Sequence, residues 1–241
     1  MIDGLLVALG FLTRIPVPAH VFARPGAQAR SLPWYPLVGL VIGVVLASLA
    51  WALQHGAPVL VAALGVAAWA WLTGGLHLDG LADTADAWVG GLGDRERTLA
   101  IMKDPRSGPA GVTALVLVLL LKFAALASLP APSLWPVLLL APLLGRAALT
   151  AAFLSTPYVR ASGMGAPLAG ASRVACFCAL LGTLAGVACV GRRGVIALLV
   201  VIAVFWLWRR ACVRRLGGMT GDTCGALAEL VEVAVLVAMA L

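Results

Sequence analysis

The chain has 241 residues, 62% of them hydrophobic and only 11% charged, with a mean hydropathy of +1.05, against roughly 45–50% apolar and 25% charged for a soluble domain. That composition excludes a water-soluble globule and leaves room for six or seven membrane spans with short connections, so residues 1–241 are expected to form a single membrane-embedded domain. The apolar composition makes a lipid bilayer the partner. The net charge of +7 is not read as nucleic-acid binding, because it is the placement of Lys and Arg in short loops, not their total, that is informative, and it reports membrane orientation.

At the N-terminus, MIDGLLVALGFLTR carries Asp3 where a signal peptide would be positive, so the segment is expected to be retained and to lie at the membrane interface. Apolar runs follow at 33–53, 57–73, 110–129, 134–154, 174–190, 194–208 and 225–241. They imply an all-α, polytopic membrane fold of six to seven transmembrane helices. Several runs are short enough to be broken or only partly inserted. Tryptophans such as Trp34, Trp51, Trp71 and Trp135 lie near their ends, where amphipathic rings meet the headgroups. Apolar faces all round short spans allow association into a homo-oligomer.

Between the second and third runs lies a polar, glycine-rich, charged stretch of about 36 residues, read as a long acidic cytoplasmic segment with a function. Arg14, Arg24 and Arg30 before the first run, and Arg95, Arg97, Lys103 and Arg106 after the second, put both flanks in the cytoplasm. The 155–173 and 209–224 loops follow them there. Arg192 and Arg193 would fall outside, which argues against both the fifth and the sixth runs spanning. Five cysteines without a CxxC pair predict neither a disulfide framework nor a zinc site.

Nine of the ten acidic residues lie in two windows, 79–104 and 222–232. Acids held beside apolar segments are expensive and mark functional sites. Asp79, Asp83 and Asp86 are spaced i, i+4, i+7, on one face of a helix. Asp222, Glu229 and Glu232 share a face in the same way. So many hard oxygen ligands suit Mg2+ or Mn2+, and Mg2+ is usually held by few carboxylates plus water and substrate phosphates. The glycines at 74, 75, 80, 90 and 91 would permit close backbone approach to a ligand. Lys103 and Arg106 flank Asp104, and Arg146 stands alone in an apolar run, where it needs an acid or a phosphate partner. Cations beside metal-binding acids are what a diphosphate requires. His77, two residues before Asp79, is a candidate base, whereas Asp94 and Glu96 read as an ordinary charged surface.

The stretch GGLHLDGLADTADAWVGG at 74–91 strongly resembles the signature of the cobalamin synthase family, the membrane-bound adenosylcobinamide-GDP ribazoletransferases. The likeness extends through FLTRIPVP at 11–18, WYPLVGLVIG at 34–43, RTLAIMKDPRSGPAGVTAL at 97–115, GRAALT at 145–150, PYVRASGMG at 157–165 and GGMTGDTCGALAELVE at 217–232. Two departures stand out. The KDSRIGTFG-like stretch of the family reads KDPRSGPAG here, with stiffening prolines, and Ala87 replaces a common glycine.

The resemblance implies a Mg2+-dependent catalytic domain in the cell inner membrane, multi-pass, with its active site facing the cytoplasm and corrinoid and ribazole nucleotides as substrates. A ribose hydroxyl of α-ribazole, or of its 5′-phosphate, would attack the cobinamide-attached phosphate of adenosylcobinamide-GDP, and GMP would leave. In that frame Asp79, Asp83, Asp86 and Asp222 hold the metal. Arg14, Lys103, Asp104, Arg106 and Arg146 belong to the substrate site, and Asp86, Glu229 or His77 takes the proton. Two other readings remain at this point. A CDP-alcohol phosphotransferase also sets aspartates on membrane helices, but its pattern needs Arg where Asp83 follows Ala82. A cation or proton transporter would place carboxylates mid-span, whereas these cluster near span ends.

Overall fold

The protein is described by a computed structural model covering residues 2–160 and 163–241. Prolines start and glycines stop many of its helices. The first, α1 (Ile2–Leu12), leads through 3-10 turns at Ala19–Val21 and Ala29–Trp34 into α2 (Tyr35–Ala52). Then follow α3 (Pro58–Thr73), α4 (Leu76–Gly90), α5 (Arg95–Ile101), α6 (Pro109–Ser128) and α7 (Ala131–Ser155). After a 3-10 turn at Ala166–Gly170 come α8 (Arg173–Ala188), α9 (Arg192–Leu216) and α10 (Gly221–Ala240). Pro36, Pro58 and Pro109 sit in the first turns of α2, α3 and α6, where a missing N–H breaks no helical bond. Among the described residues there is no strand, only one parallel bridge between Tyr158 and Met219. All five cysteines are free.

Among the described residues, five helical stretches are long and apolar enough to cross a membrane: Ala29–Ala52, Pro109–Ser128, Ser133–Ser155, Arg192–Leu216 and Gly221–Ala240. The pair α3 and α4 makes a sixth only as a broken span, bent by 89°. Gly74 and Gly75, at φ of +65° and +71°, carry that bend in a backbone region that other residues enter at a cost. The expectation of a seventh span is corrected by α8. At 16 residues it measures about 24 Å, short of the ~30 Å hydrocarbon layer. Within the acidic stretch, residues 76–90 form a helix, α4, as the spacing of its aspartates predicts, and it is packed into the bundle.

Close packing relies on small residues, as expected where lipid supplies no hydrophobic drive between helices. Gly43 of α2 lies against α7, where an added Cβ would stand 2.7 Å from the Leu138 carbonyl oxygen. The centre of the bundle is α10, which contacts α4, α6, α7 and α9 and buries Leu227, Ala228, Val231, Val235 and Leu236. The outer face of α9 exposes Leu199, Ile202 and Leu207, which suits contact with lipid chains.

The two acidic segments meet where α4 crosses α10. A Cβ added at Gly80 would stand 2.8 Å from the Asp222 carbonyl oxygen and 3.0 Å from its Cα, and one at Gly225 would stand 3.2 Å from the His77 carbonyl oxygen. Overpacking of this kind costs about 1–3 kcal/mol. In detergent, Gly80→Ala is therefore expected to lower the thermal midpoint by several degrees. Gly182→Ala, whose new Cβ meets nothing within 4 Å, is expected to leave it unchanged or raise it.

Candidate active site

The turn at Gly74–Gly75 swings α4 across the first turns of α10, and a cavity opens beside the crossing. Its open volume is about 710 Å3 including the mouth. Its polar wall holds His77, Asp79, Arg160 and Asp222, and its apolar wall holds Phe11, Tyr35, Leu149 and Phe153. Asp79 is exposed, while Asp83 and Asp222 are half-buried. Asp83 lies within electrostatic reach of Asp79, Asp222, Arg160 and Asp86. The helical spacing of the trio therefore delivers Asp79 and Asp83 to the acid end of α10.

Asp86, one turn further along α4, meets different partners. Its carboxylate accepts hydrogen bonds from the backbone N–H groups of Gly108 at 2.6 Å and Gly111 at 2.8 Å. It thus caps the N-terminus of α6, where free N–H groups and the helix dipole favour a negative charge. The loop that carries Lys103 and Arg106 is tied to α4 by this contact. Within it, Arg106 donates through Nε and Nη2 to both oxygens of Asp104, at 2.9 and 2.7 Å. Those bonds hold the Asp104 carboxyl down to about 2. Lys103 is exposed. Arg14 lies over the Gly74 turn, and its backbone N–H donates to the Leu72 carbonyl at 2.7 Å.

Arg146 and Glu229 sit deeper, inside the bundle. Arg146 is fully buried and pairs through Nη1 with Glu232 of α10. Lys122 of α6 reaches Glu229 at 2.7 Å and Glu232 at 2.5 Å, and lies 4.4 Å above the Trp69 ring. Two cations and two anions thus bind α6 and α7 to α10. Neither Arg146 nor Glu229 lines the cavity. His77 connects the two regions: it lines the cavity, is buried, and keeps Nδ1 without a hydrogen-bond partner among the described residues.

Several of the sequence signals point to packing and not to ligand approach. The missing side chain of Gly80 admits α10, and those of Gly90 and Gly91 admit Ile101 and Thr98. Lys122 escaped sequence reading although a lone Lys in an apolar run carries the same signal as Arg146. Arg160 and Tyr158 lie in a connection whose partners are distant in sequence. Burial raises the Tyr158 phenol above its ordinary value. Ala161 and Ser162 of the PYVRASGMG stretch lie outside the described residues. Among the described residues, no three His, Cys, Asp or Glu side chains are gathered closely enough to hold a metal ion by themselves.

A family profile described as cobalamin-5-phosphate synthase matches residues 4–240. The chain belongs to the cobalamin-5-phosphate synthase family. The adenosylcobinamide-GDP ribazoletransferase of Pseudomonas paraeruginosa is 55% identical over 241 residues, covering 100% of this chain and 98% of that one. The enzyme of the same name from Stutzerimonas stutzeri is 54% identical over 240 residues, covering 98% and 97%. That from Pseudomonas aeruginosa is 54% identical over 239 residues, covering 99% and 98%. No solved structure matches. A family match along nearly the whole chain supports the first of the three readings of the acidic segments over the phosphotransferase and transporter alternatives.

For this member of the family, breaking the buried ion network by removing one partner leaves an uncompensated charge, at a cost of about 3–5 kcal/mol. Glu232→Met is expected to lower the unfolding midpoint markedly. The double variant Arg146→Met with Glu232→Met retains the Lys122–Glu229 pair and is expected to be more stable than Glu232→Met alone. Thermal unfolding of the three purified proteins checks the order, and equal midpoints would contradict it.

Proposed function

We propose that the chain is a ribazoletransferase, joining adenosylcobinamide-GDP to α-ribazole 5′-phosphate or α-ribazole in the cell inner membrane. The observation that carries this reading is the meeting of the two acidic segments at Gly80 and Asp222, beside a cavity with one polar and one apolar wall. The family description names a 5-phosphate product, which favours the phosphorylated acceptor. Basic residues concentrate at the acidic end of the bundle: Arg209 donates to the Ser155 carbonyl, Arg95 to that of Leu216 and Arg215 to that of Trp88. Under the positive-inside rule that end faces the cytoplasm.

Asp79, Asp83 and Asp222 are the residues that would hold Mg2+. Their oxygens are hard donors set on two helices, and a site with so few carboxylates suits an ion that keeps waters and takes substrate phosphates as further ligands. When bound, the ion would supply positive charge against the diphosphate. Lys103 and Arg106, on the loop held by Asp86, would add to that charge, Arg106 after releasing the Asp104 carboxylate that now takes its Nε and Nη2.

In the reaction, the acceptor hydroxyl oxygen bonds to the cobinamide-side phosphorus. The bond from that phosphorus to the bridging oxygen breaks, and GMP leaves with the electron pair. Of the three candidate bases, His77 fits best. Asp86 already accepts two backbone N–H groups and Glu229 is ion-paired in the interior, whereas His77 lines the cavity with Nδ1 unpartnered. His77 takes the hydroxyl proton, and the apolar wall excludes water from the phosphorus.

Purified protein in proteoliposomes, supplied with adenosylcobinamide-GDP, α-ribazole 5′-phosphate and Mg2+, is expected to release GMP in step with cobalamin 5′-phosphate, and chelation should stop both. His77→Ala should lower kcat about 100-fold or more. GMP release that ignores the ribazole acceptor would overturn the reading.

A further inference from the structure

We propose that Arg160 is a direct contact for the substrate diphosphate, held in position by Asp222; the assignment rests on the transferase reading given above. Arg160 follows a backbone segment that is pinned to the connection leading into α10. The Val159 N–H donates to the Met219 carbonyl at 2.9 Å, and the Met219 N–H donates to the Pro157 carbonyl at 2.8 Å. These bonds make the Tyr158–Met219 bridge and fix Arg160 relative to Asp222, three residues beyond Met219. Phe153 stacks on Tyr158 at 5.7 Å and stiffens the same corner.

Arg160 Nη1 meets Asp222 Oδ2 at 2.7 Å, with the two side chains only 19% and 20% exposed. Its other edge is unused: Nε and Nη2 are shielded from water and have no acceptor among the described residues. Buried donors are rarely left so, because the group forfeits its hydration without gaining a bond. The Nε–Nη2 edge of a guanidinium is the fork that matches two oxygens of a phosphate. Arg160 lines the same cavity as His77, Asp79 and Asp222. Gly221, in the first turn of α10, lines it too, and N–H groups at a helix start favour an anion.

The arrangement divides the labour within one ion pair. Asp222 takes Nη1 with one oxygen, and its other oxygen remains for a cation. Arg160 turns its free edge to the anion that such a cation accompanies. A lysine at 160 could keep the pair with Asp222, but it would lose the fork.

Equilibrium binding of adenosylcobinamide-GDP and of phosphate-free adenosylcobinamide, read from corrinoid absorbance after sedimentation of proteoliposomes, separates the outcomes. Arg160→Met should weaken adenosylcobinamide-GDP binding about tenfold or more, the loss of a charge-assisted pair of hydrogen bonds. Binding of phosphate-free adenosylcobinamide and the KM for the ribazole acceptor should change less than about twofold, within what a lost phosphate contact alone allows. If Arg160→Met does not fold, Arg160→Lys decides: binding weakened about fivefold or more supports the assignment. Unchanged binding in whichever variant folds overturns it. Wild-type protein that neither binds adenosylcobinamide-GDP nor releases GMP would instead sink the transferase reading, which distinguishes the two failures.

Discussion

The architecture depends on how closely α4 approaches α10. At Gly80 and Gly225 no side chain stands between the two backbones, and Asp222 rests against Gly80 itself. That contact sets Asp79 and Asp83 beside Asp222. Carboxylates within electrostatic reach of one another repel, and a water-accessible cavity with Arg160 on its wall is what makes the arrangement tolerable. The sharp elbow at Gly74–Gly75 serves the same end, because a straight continuation of α3 would carry the acids away from α10.

What keeps α10 in register is electrostatic. Ionised groups inside a bilayer protein are costly unless paired, and here Lys122 and Arg146 answer Glu229 and Glu232. The pairing is geometric as well as neutralising. Lys122 lies on α6 and Arg146 on α7, so α10 is drawn to both by residues two to three turns below Asp222. Rotation of α10 about its axis would move these anions away from their cations while moving Asp222 away from α4. Core and site are therefore coupled through one helix.

Much of this was legible in the sequence, and the failures have physical causes. The spacing of Asp79, Asp83 and Asp86 marked a helical face, and α4 is a helix. Periodicity does not reveal what a face meets, and the third aspartate caps α6 through Gly108 and Gly111. Arg146 was recognised as needing an acid or a phosphate, but only the packing of α7 on α10 supplies Glu232 as its partner. Glycines in the acidic stretch signal close approach in sequence, yet the approaching group at Gly80 is another helix. The seventh span drops out at α8, beside the Arg192–Arg193 pair that argued against both neighbouring runs spanning, since hydropathy measures apolarity over a run while the helix inside that run is only 16 residues long. Arg160 lies in the family-like stretch PYVRASGMG, but nothing local singles it out for the site, because its place comes from the Tyr158 bridge to Met219 about sixty residues away.

We propose that two separate helices, α4 and α10, contribute to a single cation and diphosphate site. Mn2+ in place of Mg2+ makes that site visible by electron–nuclear double resonance. With adenosylcobinamide-GDP bound, a phosphorus-31 coupling to Mn2+ is expected that is lost in both Asp79→Asn of α4 and Asp222→Asn of α10. A coupling that persists unchanged in either variant would contradict it.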